Sequence, residues 1–257
     1  MRSPLISIIT LTLNAEEHLD QTIQSVFNQT YNNIEYIIVD GGSTDHTLEI
    51  INRHRNRVHH LISENDKGIA DGMNKGVALA SGEYILFLHA DDYLIHNNSL
   101  ASACEFLEDT VDILVCSIRY GKGLKIVKPH GFNFWTNFKG LPHQGILCRK
   151  ALIEHLNGFD TQFKICMDYD LLLRVYQNGA RLWKSPVVLS VMRDTGISSR
   201  KDWQSLKKRF DEERKVHLKN CTPLPMKILY RIYWFLYLPY RRSLYKLKAS
   251  LPDIKIT

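Results

Sequence analysis

Two adjacent aspartates follow an apolar run in the stretch GEYILFLHADDY, residues 82–93. The run Tyr84–Leu88 has the composition of a buried strand, and His89, Asp91 and Asp92 stand at its carboxyl end. Two carboxylates are unfavourable in a core, because like charges repel and ions lose their hydration there. The pattern therefore predicts that the aspartates face a crevice at the edge of a sheet.

Polar groups also follow the other apolar runs in the first part of the chain. TLN ends the first run, Asp40 ends the second in VDGGSTD, and Glu64 and Asp66 follow the third in SENDKG. In open α/β sheets, ligands bind at the carboxyl ends of parallel strands. Acids at three successive strand ends favour Mg²⁺ or Mn²⁺ bridged to substrate phosphates. For Asp40 taken alone, ordinary turn chemistry explains the residue equally well.

Strands and helices alternate in the predicted order of elements, and near-continuous apolar strands are typical of a parallel sheet covered on both faces. The predicted strands are Leu5–Leu13, Ile34–Val39, His59–Ser63, Tyr84–Leu88 and Ile113–Ile118. The predicted helices are Ala15–Gln29, Thr44–Arg53, Gly68–Ala80 and Asn98–Glu108. The fold class is therefore α/β, with a Rossmann-like, mostly parallel sheet flanked by helices.

Composition and cysteine usage narrow the class of protein. The 257 residues, 44% hydrophobic and 23% charged, are typical of a globular protein with one large or two small domains. The opening MRSPLISIITLTLN lacks the basic start and cleavage site of a secretory signal. Five scattered cysteines without a CxxC pair indicate a reducing compartment and no structural zinc. We therefore expect a cytoplasmic protein.

The charge is distributed unevenly along the chain. Residues 200–257 carry 15 Lys and Arg against 5 Asp and Glu, whereas residues 1–199 carry 18 against 22. A basic segment at one end of a mildly acidic body indicates a surface-binding tail and argues against nucleic acid as a partner. Neither GxGxxG after the first strand nor GxxxxGK[ST] occurs, so a bound nucleotide would be held by acids and a metal.

Four segments carry a family resemblance: SIITLTLNAEEHLDQTIQSVFNQTYNNIEYIIVDGGSTDHT, SENDKGIADGMNKGVALASGEYILFLHADD, HQGILCRKALIEHLNGFD and MDYDLLLRV. Together they resemble the family 2 inverting glycosyltransferases with the GT-A fold, and among these the bacterial O-antigen and colanic-acid type enzymes. The resemblance covers roughly residues 4–200. It implies a GT-A domain over residues 1–200, with a nucleotide-binding half to about residue 120 and an acceptor half beyond it. A helical basic-aromatic extension follows over residues 201–257.

The resemblance implies the residues of the reaction centre. Asp168 in MDYDL matches the catalytic base, and HADD stands where the family has its DxD metal motif. Because His89 replaces the first acid of that motif, Asp91 and Asp92 are expected to hold Mn²⁺ or Mg²⁺, and a neutral imidazole is a further ligand. The resemblance does not decide which of the two aspartates ligates the metal directly.

The resemblance also implies the donor and acceptor contacts. Asp40 matches the acid that hydrogen-bonds uracil, and Asp66 matches a second acid on the base or ribose side. The other positions expected around the nucleotide sugar are Thr10, Thr12, Asn14, Glu17, Asp71, Asn74 and Asp91. His143 and Gln144 border the expected acceptor pocket, with a structural or surface role as the alternative for this histidine. The loop of residues 194–200 either closes over the donor or simply connects two elements.

Two departures from the family pattern limit the function. Met167 stands where many relatives have Glu beside the base. No QxxRW follows Asp168, and the tail lacks repeated long apolar spans. Both absences argue against a processive, membrane-spanning polysaccharide synthase. Asp170 rivals Asp168 as the base, since residues two apart on a helix point to different faces. Asp168 is also explained as an acid that stabilises a helix N-terminus.

The implied reaction is metal-dependent transfer of one sugar, with inversion, from a nucleotide diphosphate. The expected donor is a UDP-hexose or UDP-N-acetylhexosamine, and the acceptor is a glycan or an undecaprenyl-diphosphate-linked sugar in bacterial surface-polysaccharide biosynthesis. A sugar nucleotidyltransferase is the first alternative, but residues 1–20 lack its glycine-rich, basic loop. A non-catalytic carbohydrate-binding relative is the second, and the retained acids argue against it.

The C-terminal segment combines aromatic and basic residues. Seven aromatics lie between Tyr230 and Tyr245, and the longest uncharged run, Ile232–Tyr240, has nine residues and contains Pro239. A membrane-spanning helix needs about 20 apolar residues. We therefore expect residues 224–248 to attach peripherally to anionic lipid at the inner face of the cytoplasmic membrane. The alternative is a helix packed on the body or on a second copy in a homodimer.

Overall fold

A computed structural model describes residues 3–196, 199–221 and 223–250. The chain forms two compact units, Met1–Thr195 and Gly196–Thr257. The first is an α/β unit and the second, in its described part, is helical.

The described residues of the α/β unit form one nine-stranded sheet with the order β3-β2-β1-β4-β8-β6-β9-β5, and β7 pairs with β6. The strands are β1 Ile6–Thr12, β2 Ile34–Asp40, β3 His60–Ser63, β4 Tyr84–Phe87, β5 Tyr93–Leu94, β6 Ile113–Tyr120, β7 Lys125–Val127, β8 Ile146–Arg149 and β9 Leu182–Met192. Pairing is parallel among β1 to β4 and between β6 and β9. The predicted mostly parallel α/β sheet is therefore confirmed.

The helices of the α/β unit cover the sheet. They are α1 Leu19–Phe27, α2 Thr47–Arg53, α3 Ile69–Leu79, α4 Ser99–Cys104, α5 Lys150–His155 and α6 Met167–Gln177. Helix α1 begins four residues later than predicted, because the backbone amides of Ala15 and Glu16 donate to Thr47 and Asp45 instead of entering a helix. Residues 15–18 therefore lead from β1 into α1 and are held against the start of α2.

Apolar side chains of β1, β2 and β4 form the centre of the core. Ile6, Ile8, Tyr36, Ile38 and Leu86 are almost completely buried. Helix α3 approaches β1 closely because of Gly76, where a Cβ would meet Ile9 Cγ2 at 2.5 Å. A side chain at this glycine would force α3 away from the sheet and displace the loop that carries the strand-end residues.

Strand β8 joins the two parallel parts of the sheet and runs against both. It pairs antiparallel with β4 on one side and with β6 on the other. The residues that precede β8, and not those that follow it, therefore lie at the edge formed by the carboxyl ends of β1, β4 and β6.

The helical unit is a pair of helices, α7 Trp203–Asn220 and α8 Leu224–Ser250. Asp202 caps α7 by accepting from the amide of Ser205 at 2.9 Å. The two helices pack through a buried aromatic cluster in which His217 stacks on Tyr230 and accepts a hydrogen bond from Trp234 Nε1 at 2.9 Å. Within the described part of the chain, no helix has the length and apolar character needed to span a membrane.

Candidate functional site

The HADD motif lies where β4 ends, and its second aspartate is held from three directions. Asp92 is buried, and its carboxylate accepts from Gln144 Nε2 and from the amide of Arg193, each at 2.9 Å. Its backbone carbonyl accepts from Thr22 Oγ1 at 2.7 Å. Burial, followed by the charge of Asp91, raises the pKa of Asp92 to about 7. This carboxylate is therefore a structural junction between β4, β8 and β9.

Asp91 is the more accessible aspartate, since it is only partly buried. Thr195 Oγ1 donates to its Oδ2 at 2.5 Å, and the guanidinium of Arg193 donates to its backbone carbonyl and to Gln21. The Arg193 guanidinium also lies over the ring of Tyr93, 5.1 Å from its centroid. The loop after β9 thus fixes the position of the Asp91 carboxylate.

Arg193 was not among the candidate residues from sequence, and Thr195 was included only as part of the loop of residues 194–200. A signal was available, because β9 runs parallel to β6 and its carboxyl end meets the same edge as the ends of β1 and β4. Pro186, Lys184 and Ser185 interrupt the apolar pattern of the 11-residue strand, which hides it. Residues 197 and 198 of the loop at 194–200 lie outside the described residues.

His143 links the HADD motif to Asp168. Its Nδ1 lies 3.2 Å from Asp168 Oδ2, and its ring contacts His89 edge to face with 4.7 Å between centroids. Burial, with a smaller contribution from His143, holds the pKa of His89 well below its usual value of 6.5. His89 is therefore a neutral imidazole near pH 7, and the pair of histidines carries the contact from β4 to α6.

The two aspartates at the start of α6 occupy different environments. The Asp168 side chain is 32% exposed, whereas Asp170 is fully buried in an ion pair with Arg174, whose Nη2 lies 2.7 Å from Oδ2. The same guanidinium donates to the carbonyls of Leu156 and Gly158. Arg174, held by Asp170, therefore ties α6 to the residues that follow α5. Asp168 is the carboxylate available to a substrate.

Asp40, which the resemblance assigns to uracil, is the last residue of β2. It is fully buried, and it accepts from the amides of Gly42 and Ser43, from Ser43 Oγ at 2.5 Å and from Ser63 Oγ at 2.8 Å. Most of these donors point to Oδ2. Asp40 therefore shapes the loop after β2, and its contact with uracil stays a prediction.

Thr10 and Asn74, two of the positions expected around the nucleotide sugar, also make structural hydrogen bonds. Thr10 is fully buried, with its hydroxyl bonded to Tyr36 and donated to the carbonyl of Leu88 at 2.7 Å. The Asn74 amide makes two hydrogen bonds with the backbone of Phe159, each at 2.8 Å. Thr10 thus ties β1 to the residue that follows β4, and Asn74 joins α3 to the loop after α5.

The other expected donor contacts remain near the strand ends. Thr12 has a buried hydroxyl with no hydrogen-bond partner in the described part of the chain. Asn14, with φ of 49°, accepts from the Thr44 amide, and Glu17 is exposed beside His18. Asp66 Oδ2 faces Gly41, where a Cβ would lie only 2.8 Å away, so the glycine leaves this oxygen room. Asp71, in contrast, is paired with Lys75 at 3.2 Å.

The acids around HADD suit a divalent metal only in part. No group of three His, Cys, Asp or Glu side chains lies close enough to hold a metal within the described ranges. Asp91 supplies a partly exposed carboxylate, and His89 supplies a neutral imidazole. These residues fit Mg²⁺ or Mn²⁺ that takes one or two protein ligands and completes its coordination with substrate phosphates.

An apolar pocket opens beside Asp168 and His143, between α5, α6 and the sheet. Its lining is hydrocarbon apart from these two residues and the thiol of Cys148. The apolar residues of the lining are Ile85, Phe87, Ile113, Ile146, Ile153, Phe159, Leu171, Leu172 and Val175. The Asp168 carboxylate therefore has an apolar wall on one side and solvent on the other.

Comparison with known sequences gives a consistent result. The profile of "Glycosyl transferase family 2" matches residues 7–168. A PGL/p-HBAD biosynthesis glycosyltransferase of Mycobacterium bovis is 32% identical over 214 residues, which are 77% of this chain and 81% of that protein. An uncharacterized glycosyltransferase of Haemophilus influenzae is 44% identical over 110 residues, or 42% of this chain and 44% of its own.

Solved structures of glycosyltransferases share the fold. S. aureus TarS 1–349 in complex with UDP superposes with a TM-score of 0.66 at 21% identity, covering 82% of this chain and 64% of that one. This chain therefore spans less than two thirds of that TarS chain. A mannosyltransferase from Pyrobaculum calidifontis, in complex with GDP-Man and Mn²⁺, superposes with a TM-score of 0.69 at 19% identity, covering 99% and 77%. The α/β unit accordingly has the GT-A architecture.

Proposed function

Because this chain belongs to glycosyl transferase family 2, we propose that it transfers one sugar, with inversion, from a nucleotide diphosphate to an acceptor hydroxyl. The observation that carries the proposal is the contact from HADD through His89 and His143 to the accessible Asp168. A base next to a diphosphate-binding edge is the arrangement that a single displacement needs.

Asp168 acts as the general base. Its carboxylate takes the proton of the acceptor hydroxyl as the oxygen attacks the anomeric carbon, and bond cleavage releases the nucleoside diphosphate. His143 donates from Nδ1 to Asp168 Oδ2 and leaves the other oxygen, which also accepts from the Tyr169 amide at 2.7 Å, on the side of the acceptor. One base is sufficient for inversion, because no covalent intermediate has to form.

Asp91 would be the direct protein ligand of the metal, with His89 beside it. Thr195 and Arg193 hold the aspartate in place, and Asp92 keeps the strand end in register through Gln144 and the Arg193 amide. When bound, Mn²⁺ or Mg²⁺ stabilises the negative charge that develops on the leaving diphosphate. Gln144 thus serves the metal side, although the sequence placed it with the acceptor.

The donor proposed is a UDP-hexose or UDP-N-acetylhexosamine. TarS has been crystallised with UDP and with UDP-GlcNAc, and the Pyrobaculum enzyme with GDP-Man. On this chain, Thr12, Asn14 and Glu17 at the end of β1, with Asp66 across from Gly41, are the groups proposed to meet the nucleoside.

The acceptor proposed is a glycan or an undecaprenyl-diphosphate-linked sugar in bacterial surface-polysaccharide synthesis at the inner face of the cytoplasmic membrane. Helix α8 supports peripheral membrane attachment, because it exposes Ile232, Phe235 and Leu236 while Tyr230 and Trp234 pack toward α7. High salt should release the protein from anionic vesicles if this attachment is right.

Release of nucleotide from a panel of UDP- and GDP-sugars, with and without Mn²⁺, tests the proposal. We expect one donor to be hydrolysed slowly in Mn²⁺ and not in EDTA, and Asp168→Asn to bind that donor without turning it over. Nuclear magnetic resonance of the product anomer then tests inversion. Metal-independent turnover of every active donor would contradict the proposed role of Asp91.

A further inference from the structure

A second basic segment lies inside the α/β unit. Residues 113–153 contain seven Lys and Arg and no Asp or Glu, although the whole of residues 1–199 has an excess of acids. Four of the cations, Lys122, Lys125, Lys128 and Lys139, are exposed. None of these four lysines forms an ion pair with any residue that the structure describes. Their charge is therefore free to attract an anionic partner.

Aromatic side chains are exposed within the same segment. Trp135 is 67% exposed and Phe134 52%, and both contact Phe138, at 6.3 and 5.7 Å between ring centroids. Exposing such rings to water is unfavourable, and clustered ones mark an interaction site. We call residues 122–139 the aromatic-lysine segment.

The aromatic rings stand on a fixed support. Asn133 and Thr136 form a reciprocal capping pair at the short helix of residues 134–137, with the Trp135 amide donating to Asn133 Oδ1 at 2.8 Å. Thr136 is buried, and its carbonyl accepts from the hydroxyl of Tyr169 at 3.3 Å. Tyr169 directly follows Asp168, so the segment is attached to the helix that carries the base.

We propose that the aromatic-lysine segment docks on an anionic lipid bilayer surface. Lysines match lipid phosphates in charge, and Trp and Phe are suited to the headgroup boundary. A neutral glycan is disfavoured, since it carries no negative charge to meet the four exposed lysines. Docking brings the acceptor side of α6 to the membrane; this consequence rests on the proposed function, whereas the docking itself does not.

Vesicle binding by the full-length protein tests the proposal without any turnover. The probe is phosphatidylglycerol vesicles at low salt, compared with phosphatidylcholine vesicles. Lys128→Gln with Lys139→Gln should weaken binding to the anionic vesicles by about fivefold per lysine. Phe134→Ser with Trp135→Ser should weaken it by about tenfold or more, since both rings would lie at the boundary. Quenching of tryptophan fluorescence by brominated lipid should fall in Trp135→Phe.

Matched variants separate this segment from other cations and rings. Arg53→Gln with Arg55→Gln removes two exposed cations elsewhere, and Trp183→Ser removes a tryptophan that is 56% exposed. Both should bind vesicles as the unmodified protein does. All of these variants are also made in a protein that carries Phe235→Ser and Leu236→Ser in α8. In that protein, vesicle binding through α8 cannot conceal a loss of binding through the aromatic-lysine segment.

The proposal is overturned if the segment variants bind anionic vesicles as tightly as the unmodified protein, both with the unmodified α8 and with the substituted α8. It is also overturned if they lose no more vesicle affinity than the control variants do. It is equally overturned if Phe134→Ser with Trp135→Ser leaves vesicle binding intact but raises the KM of a water-soluble glycan, since the rings would then stack on sugar. Donor hydrolysis should persist in every variant. Its absence from the unmodified protein would count against the proposed function and not against docking.

Discussion

Asp40 at the end of β2 and Asp168 at the start of α6 are both proposed site residues, yet the hydrogen bonds that their carboxylates accept differ greatly. Asp40 is buried and takes hydrogen bonds from Gly42, Ser43 and Ser63. Asp168 is a third exposed and takes them from His143 and its own neighbour Tyr169. A carboxylate surrounded by fixed donors holds structure, whereas one with an open side exchanges a proton.

The same contrast separates Asp91 from Asp92 and Asp168 from Asp170. In each pair one acid is accessible and the other is buried in contacts between elements. Of two neighbouring aspartates, one is thus accessible to a substrate and the other holds elements of the fold together. Substitutions that affect rate should therefore be separable from substitutions that affect stability.

The largest effect is expected from Asp168→Asn. The amide retains the size of the side chain and an oxygen for His143 but cannot accept a proton, so turnover should fall by about 10²–10⁴-fold. Donor affinity, measured by calorimetry, should stay within about twofold. Normal turnover in this variant would remove Asp168 from the role of base.

Asp170→Asn should show the opposite pattern. Removing the charge that faces Arg174 leaves a buried cation uncompensated, which costs about 3–5 kcal/mol of the free energy of unfolding. Chemical denaturation measures the loss, and turnover of the fraction that remains folded should be close to normal. A stable but inactive protein would reverse the assignment of the two aspartates.

Asp91→Asn should lower turnover by about 10²–10³-fold, because an electrostatic contact to the leaving diphosphate is lost. The dependence of UDP binding on Mn²⁺ should disappear as well. Asp92→Asn is the matched control, since Gln144 can rotate its amide to accept from the new Asn while the Arg193 amide still donates. If Asp92→Asn abolishes the Mn²⁺ dependence and Asp91→Asn does not, the ligand assignment is wrong.

Asp40→Asn should act mainly on stability. Its amide would place N–H groups against the amides and hydroxyls that now donate to the carboxylate, at a cost of about 1–3 kcal/mol. We expect a lower melting temperature and a weaker donor affinity with unchanged turnover at saturation. A large fall in turnover alone would show that Asp40 contacts the substrate after all.

His217→Gln extends the comparison to a buried group outside the α/β unit. Burial lowers the pKa of His217 from 6.5 to about 3. Between these values the unfolded chain binds a proton that the folded chain does not, so stability falls as pH decreases. The loss should reach about 2 kcal/mol at pH 5. Gln still accepts from Trp234, and its variant should therefore show a smaller fall in melting temperature between pH 7.5 and 5.0.

The sequence predicted the α/β class and the family because both depend on local patterns. Apolar runs that end in acids appear directly in the letters around Asp66 and Asp91. The choice between Asp168 and Asp170 could not be made from the letters, since it depends on how α6 is rotated against Arg174 and the sheet. The burial of Asp40 likewise depends on Ser63, 23 residues away.

Strand direction explains the residues that were misplaced or missed. Because β8 runs antiparallel to β4, the residues that precede β8, His143 and Gln144, lie at the carboxyl end of β4. A search limited to residues that follow strands therefore does not find them. The rule does apply to Arg193 and Thr195, but the irregular pattern of β9 conceals that strand. Thr10 and Asn74 match family positions in the sequence, but both side chains are hydrogen-bonded within the protein. A sequence match alone does not tell whether a side chain is exposed.

The placement of β8 has a consequence for the order in which the chain is synthesised. Strand β4 pairs with β1 and β8, and β6 meets the first four strands through β8. While a ribosome has made only residues 1–120, β4 has an open apolar edge and β6 has no partner in that sheet. The sheet therefore becomes continuous from β4 to β6 only after residue 149, the end of β8, has emerged from the ribosome. Arrest-peptide measurements on chains of increasing length should detect a pulling force near this point and none at residue 120.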